Sequence, residues 1–345
     1  MVASPFGQYV PAIEITRGSV VESVHSAAVA VADARGRLVA RLGGIEHVVF
    51  LRSSAKPFQT MAVIESGAAE KYDLTPQELA LMAGSHSSEA EHVATAAGIL
   101  AKLGLDVTAL QCGTHTPFSR KVAEQYRASG RPLTPLESNC SGKHAGMLAA
   151  ALAGGHDTAS YLDPKHPVQQ HAIGVLADLT GRMRDRILVA VDGCSAPTFA
   201  VSLAEAARAF ARLVEPEGLA PDHRESARRV VAAMRQHPLM VGGEGMLDTE
   251  LTAHPAHMLI SKRGAEGVQC LGFVKDGVGY GVAAKIADGD SGRARVALTA
   301  EIVRQLDLMA AREIDRLTET TTLLVRNNSG RDVGVVRGAF TLQRV

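Results

Sequence analysis

The sequence lacks an excess of charge of either sign. Its 36 Lys and Arg residues balance 36 Asp and Glu residues, and no basic block marks a surface that would follow a phosphate backbone. We therefore expect no nucleic-acid partner. With 46% hydrophobic and 21% charged residues, the composition instead suits a folded globular protein with a sizeable core.

Long apolar segments are missing as well. The longest stretch of small apolar residues, 145–155, is much shorter than the ~20 residues that cross a bilayer, so no membrane partner is expected. The opening residues, MVASPFGQYVPAIEITRGSV, have neither the basic start nor the continuous apolar stretch of a secretory signal. These features favour a cytoplasmic protein.

Cysteine is scarce. The chain has four of these residues, Cys112, Cys140, Cys194 and Cys270. In a sequence of this size without a secretory signal, they favour reduced thiols over a disulfide framework. We expect them to be structural, catalytic or metal-binding.

The order of the predicted elements favours an α/β (α+β) fold. Strand patterns occur near 10–50, 187–192 and 256–345, whereas residues near 54–250 are mainly helical. Within the helical region, Thr75-Pro76-Gln77-Glu78 has the pattern of a capping box at a helix start. We expect a single unit, 1–345, with a central antiparallel sheet built from N- and C-terminal strands, flanked by helices and accompanied by a helical lobe. The strand at 187–192 is expected to join that sheet.

The first chemical motif is Ser53-Ser54-Ala55-Lys56. Residues three apart share one face of a helix, so the Ser53 hydroxyl and the Lys56 amine could meet at a helix N-terminus. A neutral Lys56 could then take the Ser53 proton. Ordinary usage of Ser and Lys also produces about one such spacing by chance in a chain of this length, so the motif alone does not establish catalysis.

The second motif is a polar loop, Gly84-Ser85-His86-Ser87-Ser88, between two helical segments. Ser85 could be a second active-site hydroxyl, whereas Ser87 and Ser88 are expected to cap the next helix. For His86 we expect a hydrogen bond within the loop.

The third motif combines Asn139-Cys140-Ser141-Gly142-Lys143-His144 with Asp192-Gly193-Cys194. Two cysteines from distant turns match half of a zinc site. General ligand preferences favour His144 or Asp192 as further ligands, since lysine must be neutral to bind a metal. Two small buried thiols that never meet explain the pattern equally well.

Two further motifs are less informative. Lys262 lies at a strand end in Ser261-Lys262-Arg263-Gly264, a pattern also typical of a solvated turn. The loop Gly242-Gly243-Glu244-Gly245 lacks the residues of a phosphate-binding loop.

Together, LRSSAKPFQ, GSHSSE, ESNCSGKHAGM, VDGCSAPT and SKRGAEGVQ, in this order, resemble the Rhizobium-type L-asparaginases of the asparaginase II family. The resemblance implies a fold similar to serine β-lactamases and penicillin-binding proteins. It also implies a homodimer that hydrolyses the small-molecule substrate L-asparagine to L-aspartate and ammonia.

The same resemblance implies the site residues. It places the family's two Ser-Lys tandems on Ser53 with Lys56 and on Ser85 with Lys262. It assigns Zn2+ to Cys140, Lys143 and Cys194 with a water. It moves His144 to the substrate side, and it makes Asp192 the residue that orients the lysine. Arg52 is a candidate for the substrate carboxylate, and a structural arginine is the alternative.

One departure limits the activities to consider. A β-lactamase-like pattern has a hydroxyl residue after the strand lysine, but this chain has Arg263. The missing hydroxyl weakens the interpretation of this chain as a β-lactamase or a transpeptidase. The remaining alternatives are a glutaminase or another serine amidohydrolase of this kind, and a non-enzymatic zinc or redox sensor that uses Cys140 and Cys194.

Overall fold

The described part of the chain, residues 8–320 and 323–345 of a computed structural model, forms two compact units. The sheet unit consists of the described residues up to Ser54, Val201–Glu215, and the described residues from His254 onward. The helical unit consists of Ala55–Ala200 and Pro216–Ala253.

The strands follow one another along the chain as β1 (Val10–Arg17), β2 (Val20–Asp33), β3 (Leu38–Leu42), β4 (Val48–Phe50), β5 (Leu188–Val191), β6 (Pro197–Ser202), β7 (Ile260–Arg263), β8 (Val268–Lys275), β9 (Val278–Ile286), β10 (Leu324–Arg326), β11 (Asp332–Gly338) and β12 (Gln343–Arg344). The helices are α1 (Lys56–Glu65), α2 (Ala68–Lys71), α3 (Pro76–Ala83), α4 (Ala90–Lys102), α5 (Arg120–Ser129), α6 (Ser141–Ala153), α7 (Pro167–Thr180), α8 (Leu203–Val214), α9 (Pro221–Gln236), α10 (Pro238–Val241), α11 (Leu247–Ala253), α12 (Ala294–Gln305) and α13 (Ala311–Thr320).

The main sheet has the order β10-β11-β1-β2-β9-β8-β7; in addition, β3 pairs with β2, and β12 pairs with β3. Its neighbouring strands pair antiparallel. N-terminal β1–β3 therefore lie beside C-terminal β7–β12, which confirms the predicted antiparallel sheet built from both ends of the sequence. β2 and β3 form a hairpin on either side of Gly36.

Glycines allow α8 to lie close against the main sheet. A Cβ atom at Gly281 of β9 would be 1.9 Å from the carbonyl oxygen of Ala207, and one at Gly272 of β8 would be 2.9 Å from that of Phe210. Gln269, three residues before Gly272, faces the opposite side of β8 and accepts a hydrogen bond from Arg295 of α12 at 2.6 Å. The sheet is thus covered by α8 on one face and by α12 on the other.

Local sequence signals explain the start of α3 in the helical unit. The Glu78 N–H donates to Thr75 Oγ1 at 3.3 Å, and the Thr75 N–H donates to Glu78 Oε2 at 2.7 Å. Pro76 occupies the first turn, where its missing N–H costs no hydrogen bond. The capping box predicted from the sequence is therefore confirmed.

A charged cluster connects three helices of the helical unit. Glu65, at the end of α1, accepts hydrogen bonds from His171 of α7 at 3.0 Å and from His223 and Ser226 of α9 at 2.9 and 2.5 Å. Burial opposes ionisation of Glu65, but these hydrogen bonds outweigh it and lower its pKa to about 2. Glu65 in turn raises the pKa of His223 to about 9. The cluster therefore holds opposite charges together where the three helices meet.

The strand predicted at 187–192 is present as β5, but its predicted place in the central sheet is wrong. β5 pairs antiparallel with β6, from Leu188 opposite Ala200 to Val191 opposite Pro197, in a separate small sheet. The apolar residues of β5 predict a strand but do not specify its partner, which depends on contacts distant in sequence.

Among the described residues, none of the helices combines the length and apolar character needed to cross a bilayer.

The close approach of α8 and β9 predicts that Gly281→Ala destabilises the protein. The added methyl group would overlap the Ala207 carbonyl, and overpacking of this kind costs about 1–3 kcal/mol. Gly98→Ala in α4 is the control, because a Cβ there has no heavy atom within 4 Å and alanine is the better helix former. Urea unfolding should give a lower midpoint for the first variant only, whereas equal midpoints would contradict the close approach.

Candidate active site

Ser53 lies on a short 3-10 helix, Arg52–Ala55, which leads directly into α1 at Lys56. Ser53 is half-buried, whereas Ser54 and Lys56 are fully buried. The neighbouring Ser54 hydroxyl donates to the Leu51 carbonyl at 2.5 Å. The expected helix start at this motif is thus present, and the pairing of Ser53 with Lys56 stays a prediction.

Lys56 occupies a polar position inside the helical unit. Its ammonium group donates to the Gly84 carbonyl at 2.7 Å, to Ser85 Oγ at 3.0 Å and to the Asn139 carbonyl at 2.9 Å. The structure therefore brings together the lysine of the first motif, the serine of the second motif and the turn that precedes Cys140. It joins Lys56 to Ser85, whereas the family pattern pairs each of them with another residue.

Two opposing effects act on the charge of Lys56. Three acceptors suit the three hydrogens of an ammonium group. Burial removes the water that would stabilise the charge, and it lowers the pKa of Lys56 despite the opposite influence of Cys140. A lowered pKa makes the neutral amine, which can act as a base, accessible at a less alkaline pH than for a free lysine.

Lys262 lies on β7 of the sheet unit, fully buried, and its Nζ donates to the Arg263 carbonyl at 2.9 Å. Gly264, just beyond β7, allows this strand end to approach the segment that carries Ser53. A Cβ at Gly264 would be 2.5 Å from the Leu51 carbonyl and 3.1 Å from Ser54 Oγ. The strand end that follows Lys262 therefore lies next to Leu51 and Ser54 within the sheet unit. The pairing of Lys262 with Ser85 stays a prediction.

Arg52 has a backbone conformation that is unusual for arginine. Its φ of 51° lies in the left-handed region, which favours glycine and often marks functional positions. Its side chain is only 25% exposed, and Nη1 lies 3.9 Å from Glu266 Oε1. Arg52 is therefore not freely exposed. Its role toward a substrate stays a prediction.

Cys140, Lys143 and Cys194 are buried together in the helical unit. Cys140 directly precedes α6, Lys143 lies in the first turn of α6, and Cys194 follows β5. Lys143 Nζ donates to Cys194 Sγ at 3.0 Å. The alternative of two thiols that never meet is wrong, because the thiols of Cys140 and Cys194 are close enough to shift each other's pKa in opposite directions.

The electrostatics of this group favour one thiolate. The hydrogen bond from Cys194 lowers the pKa of Cys140 well below its usual value, and the same bond raises that of Cys194. Burial opposes a charge on Lys143, but Cys140, Cys194 and Asp192 outweigh it and raise the pKa of the lysine. Asp192 thus helps to raise the pKa of Lys143. Its Oδ1 also accepts the backbone N–H of Gly193 at 2.8 Å.

The same three side chains offer two sulfur atoms and one nitrogen atom as metal ligands. This ligand set suits a borderline metal ion such as zinc. Lys143 would have to lose its proton before it could bind a metal. Within residues 8–320 and 323–345, no group of three or more His, Cys, Asp and Glu side chains is arranged to hold a metal. Zinc at Cys140, Lys143 and Cys194 therefore stays a prediction that the donor chemistry fits.

His144 follows Lys143 on α6 and is fully buried. Its Nδ1 is hydrogen-bonded to the Tyr161 hydroxyl at 2.7 Å, and its Nε2 has no hydrogen-bond partner among the described residues. Burial lowers the pKa of His144 to about 4, so the ring is neutral near pH 7. Most buried polar atoms in folded proteins have a hydrogen-bond partner, so Nε2 is available for one further hydrogen bond.

The loop that carries Ser85 is fixed by hydrogen bonds to other parts of the helical unit. His86 Nε2 pairs with Ser141 Oγ at 2.9 Å. The Ser88 N–H donates to His86 Nδ1 at 3.2 Å, which confirms the hydrogen bond expected within the loop. Ser88 Oγ donates to the Glu137 carbonyl at 2.6 Å. The expected capping of α4 by Ser87 or Ser88 is wrong, because Glu89 is the N-cap residue.

The chain matches a known protein family over most of its length. A family model described as L-asparaginase II matches residues 13–338, far more than half of the sequence and parts of both units. The chain belongs to the L-asparaginase II family.

Several solved structures are similar to this L-asparaginase II chain. The native form of Mglu is 17% identical over 83% of this chain and 65% of that chain, with a TM-score of 0.44. A Bacillus glutaminase is 11% identical over 82% of this chain and 91% of that one, with a TM-score of 0.39. A β-lactamase from Mycobacterium bovis is 11% identical over 77% and 88% of the two chains, with a TM-score of 0.37.

This L-asparaginase II chain spans less than two thirds of the length of the Mglu chains that it matches first, at 65%, 59% and 61%. No curated protein matches it.

The sequence motifs assigned no role to two residues of this candidate site. Tyr161 lies in the loop between α6 and α7 and contacts His144, but no motif surrounds it. Asn139 contributes its backbone carbonyl to Lys56, a contribution that no side-chain pattern reveals. Only the folded arrangement of α1, α6 and the loop before α7 identifies them.

Proposed function

We propose that this chain hydrolyses L-asparagine to L-aspartate and ammonia, with Ser53 as the nucleophile and Lys56 as its base. The observation that carries the proposal is the environment of Lys56. It is fully buried, has a lowered pKa and contacts Ser85, and it begins α1 three residues after a half-buried serine. A lysine of this kind can accept a proton from a hydroxyl, as an ordinary surface lysine cannot at neutral pH.

In the proposed reaction, Ser53 Oγ forms a bond to the side-chain amide carbon while its proton passes to the Lys56 amine. The NH2 group of the tetrahedral intermediate then takes up a proton and leaves as ammonia, and an aspartyl ester remains on Ser53. Water attacks the ester, and aspartate leaves as the proton returns to Ser53. We assign the transfer of protons to the leaving group and from the water to Ser85 and Lys262.

Substrate recognition is assigned to Arg52 and His144. The Arg52 guanidinium can bind a carboxylate, and the unpartnered His144 Nε2 is available for a substrate oxygen. Asp192 acts indirectly, because it helps to keep Lys143 charged in the absence of metal. The resemblance to known members also supports a cytoplasmic homodimer.

Zinc would be held by Cys140, Lys143 and Cys194, and it would supply a fixed positive charge that helps to position the substrate. No reaction step is assigned to it.

The proposal predicts ammonia release by purified protein from L-asparagine in preference to L-glutamine. Ammonia is measured by a coupled assay with each substrate at equal concentration, and a β-lactam chromogenic substrate serves as the comparison for the related chemistry. Faster release from glutamine would assign a glutaminase instead. Hydrolysis of neither amide would refute the proposed function and favour the zinc or redox sensor.

The lowered pKa of Lys56 predicts an activity that rises with pH. Below its folded pKa the lysine is an ammonium and cannot accept the Ser53 proton, so kcat/KM should increase as pH rises through that pKa and then level off. Lys56→Arg should lose at least about 100-fold in kcat, because a guanidinium stays charged at every accessible pH. A pH-independent wild type, or an active Lys56→Arg variant, would exclude lysine as the base.

The donor set at α6 predicts about one zinc per chain. Elemental analysis of protein purified with added zinc measures it, and Cys194→Ser should reduce the content several-fold because one thiolate is lost. Cys270→Ser, which changes a buried cysteine of the sheet unit, is the control and should retain the metal. Zinc-free protein with intact thiols in the presence of excess zinc would remove the ion from the proposal.

A further inference from the structure

We propose that Tyr161 is a positioning residue that holds His144 in the tautomer with its hydrogen on Nε2, so that this N–H faces the substrate as a donor. The proposal rests on the asparagine-hydrolysing function above and assigns a role to a tyrosine that no sequence motif identifies. The direction of two hydrogen bonds carries it.

The first bond fixes one role of the Tyr161 hydroxyl. The backbone N–H of Gln111 donates to Tyr161 Oη at 3.0 Å, and an amide N–H can only donate. The phenol oxygen is therefore an acceptor in this bond. Its own hydrogen remains to be placed, in a side chain with no exposure to solvent.

The second bond places that hydrogen. Within the described part of the chain, the acceptor in reach of the phenol is His144 Nδ1, at 2.7 Å. If Nδ1 carried a hydrogen instead, it would donate to the phenol oxygen, and the buried phenol hydrogen would have no acceptor. Gln111 therefore donates to Tyr161, and Tyr161 donates to His144. The Nδ1 atom of His144 is bare, which means that it carries no hydrogen.

A bare Nδ1 in a neutral ring puts the hydrogen on Nε2. This Nε2 is buried and has no hydrogen-bond partner among the described residues. The nearby Cys194 thiol raises the pKa of the ring against the larger effect of burial, but no described residue meets hydrogen-bond geometry with Nε2. The N–H is thus available to an oxygen of bound asparagine, and it has no lone pair to offer to a metal held by Cys140, Lys143 and Cys194.

Tyr161 is itself fixed, as a positioning residue must be. Its backbone carbonyl accepts from Gln169 Nε2 at 2.8 Å. Its ring stands edge-on to that of His144, with 5.6 Å between the centroids and 87° between the planes. Gln111 is anchored in turn, because its Nε2 donates to the Ala159 carbonyl in the same loop at 2.9 Å.

The direct test is the tautomer of His144 in the wild-type protein. Nitrogen NMR of histidine-labelled protein separates a protonated ring nitrogen from a bare one, and the signal that disappears in His144→Gln assigns this residue among the 13 histidines. We expect a bare Nδ1 and a protonated Nε2. A hydrogen on Nδ1 would overturn the inference, whether or not the protein hydrolyses asparagine.

Tyr161→Phe tests the role of the hydroxyl. Without it, the His144 signals should shift toward a mixture of tautomers, and KM for asparagine should rise about tenfold with kcat changed less than about threefold, as for a lost binding contact. Tyr126→Phe is the matched control, because its hydroxyl donates to Glu137 at 2.7 Å and does not touch His144. It should leave both the tautomer and KM unchanged.

A third comparison remains decisive if Tyr161→Phe does not fold. A glutamine at 144 can place its amide N–H where His144 Nε2 lies, whereas the shorter asparagine reaches only the position of Nδ1. We expect His144→Gln to keep a KM several-fold below that of His144→Asn. The reverse order, or a Tyr161→Phe variant with an unchanged tautomer, would contradict the inference. A confirmed tautomer in a protein that releases no ammonia would instead refute only the proposed function.

Discussion

The structure of the site depends on one buried cation. Lys56 has no contact with solvent, and its charge is stabilised by two backbone carbonyls and the Ser85 hydroxyl. These acceptors come from the end of α3 and from the turn before α6, so the lysine at the start of α1 can be accommodated only if all three segments are in place. Removal of any acceptor would leave a buried charge that is costly to maintain. The ammonium therefore fixes the start of α1, the end of α3 and the turn before α6 relative to one another within the helical unit.

A second lysine in the same unit shows how the surroundings decide the charge. Lys56 and Lys143 are both fully buried, and burial disfavours the charged form of each. Lys56 has mainly carbonyl and hydroxyl partners, and its pKa is lowered, whereas Lys143 lies beside Cys140, Cys194 and Asp192, and its pKa is raised. Two identical side chains are thus suited to different roles, one as a base and one as a cation or, after loss of its proton, as a metal ligand.

The sequence predicted the parts of this arrangement that depend on local patterns. The strand patterns near both ends of the sequence and the capping box at Thr75 follow from residue patterns within a few positions, and they are present. The predicted place of β5 in the main sheet was wrong, because a short apolar strand can pair with any compatible partner. The predicted capping of α4 by Ser87 or Ser88 was wrong, because several polar residues in a row compete for the N-cap position. The contact between Lys56 and Ser85 and the support of His144 by Tyr161 join segments far apart in the sequence. No spacing rule reveals them.

The central claim is that Ser53, rather than another hydroxyl of this region, attacks the substrate. Ser54 is the natural comparison, because it is the adjacent serine and its hydroxyl already donates to the Leu51 carbonyl. The most direct measurement is the rate of ammonia release from asparagine by Ser53→Ala and Ser54→Ala proteins with matched circular dichroism spectra. The account predicts that the first loses at least about 1000-fold in kcat and that the second stays within about fivefold of wild type. A Ser53→Ala protein that releases ammonia at near the wild-type rate would contradict it and would make Ser85 the nucleophile to examine.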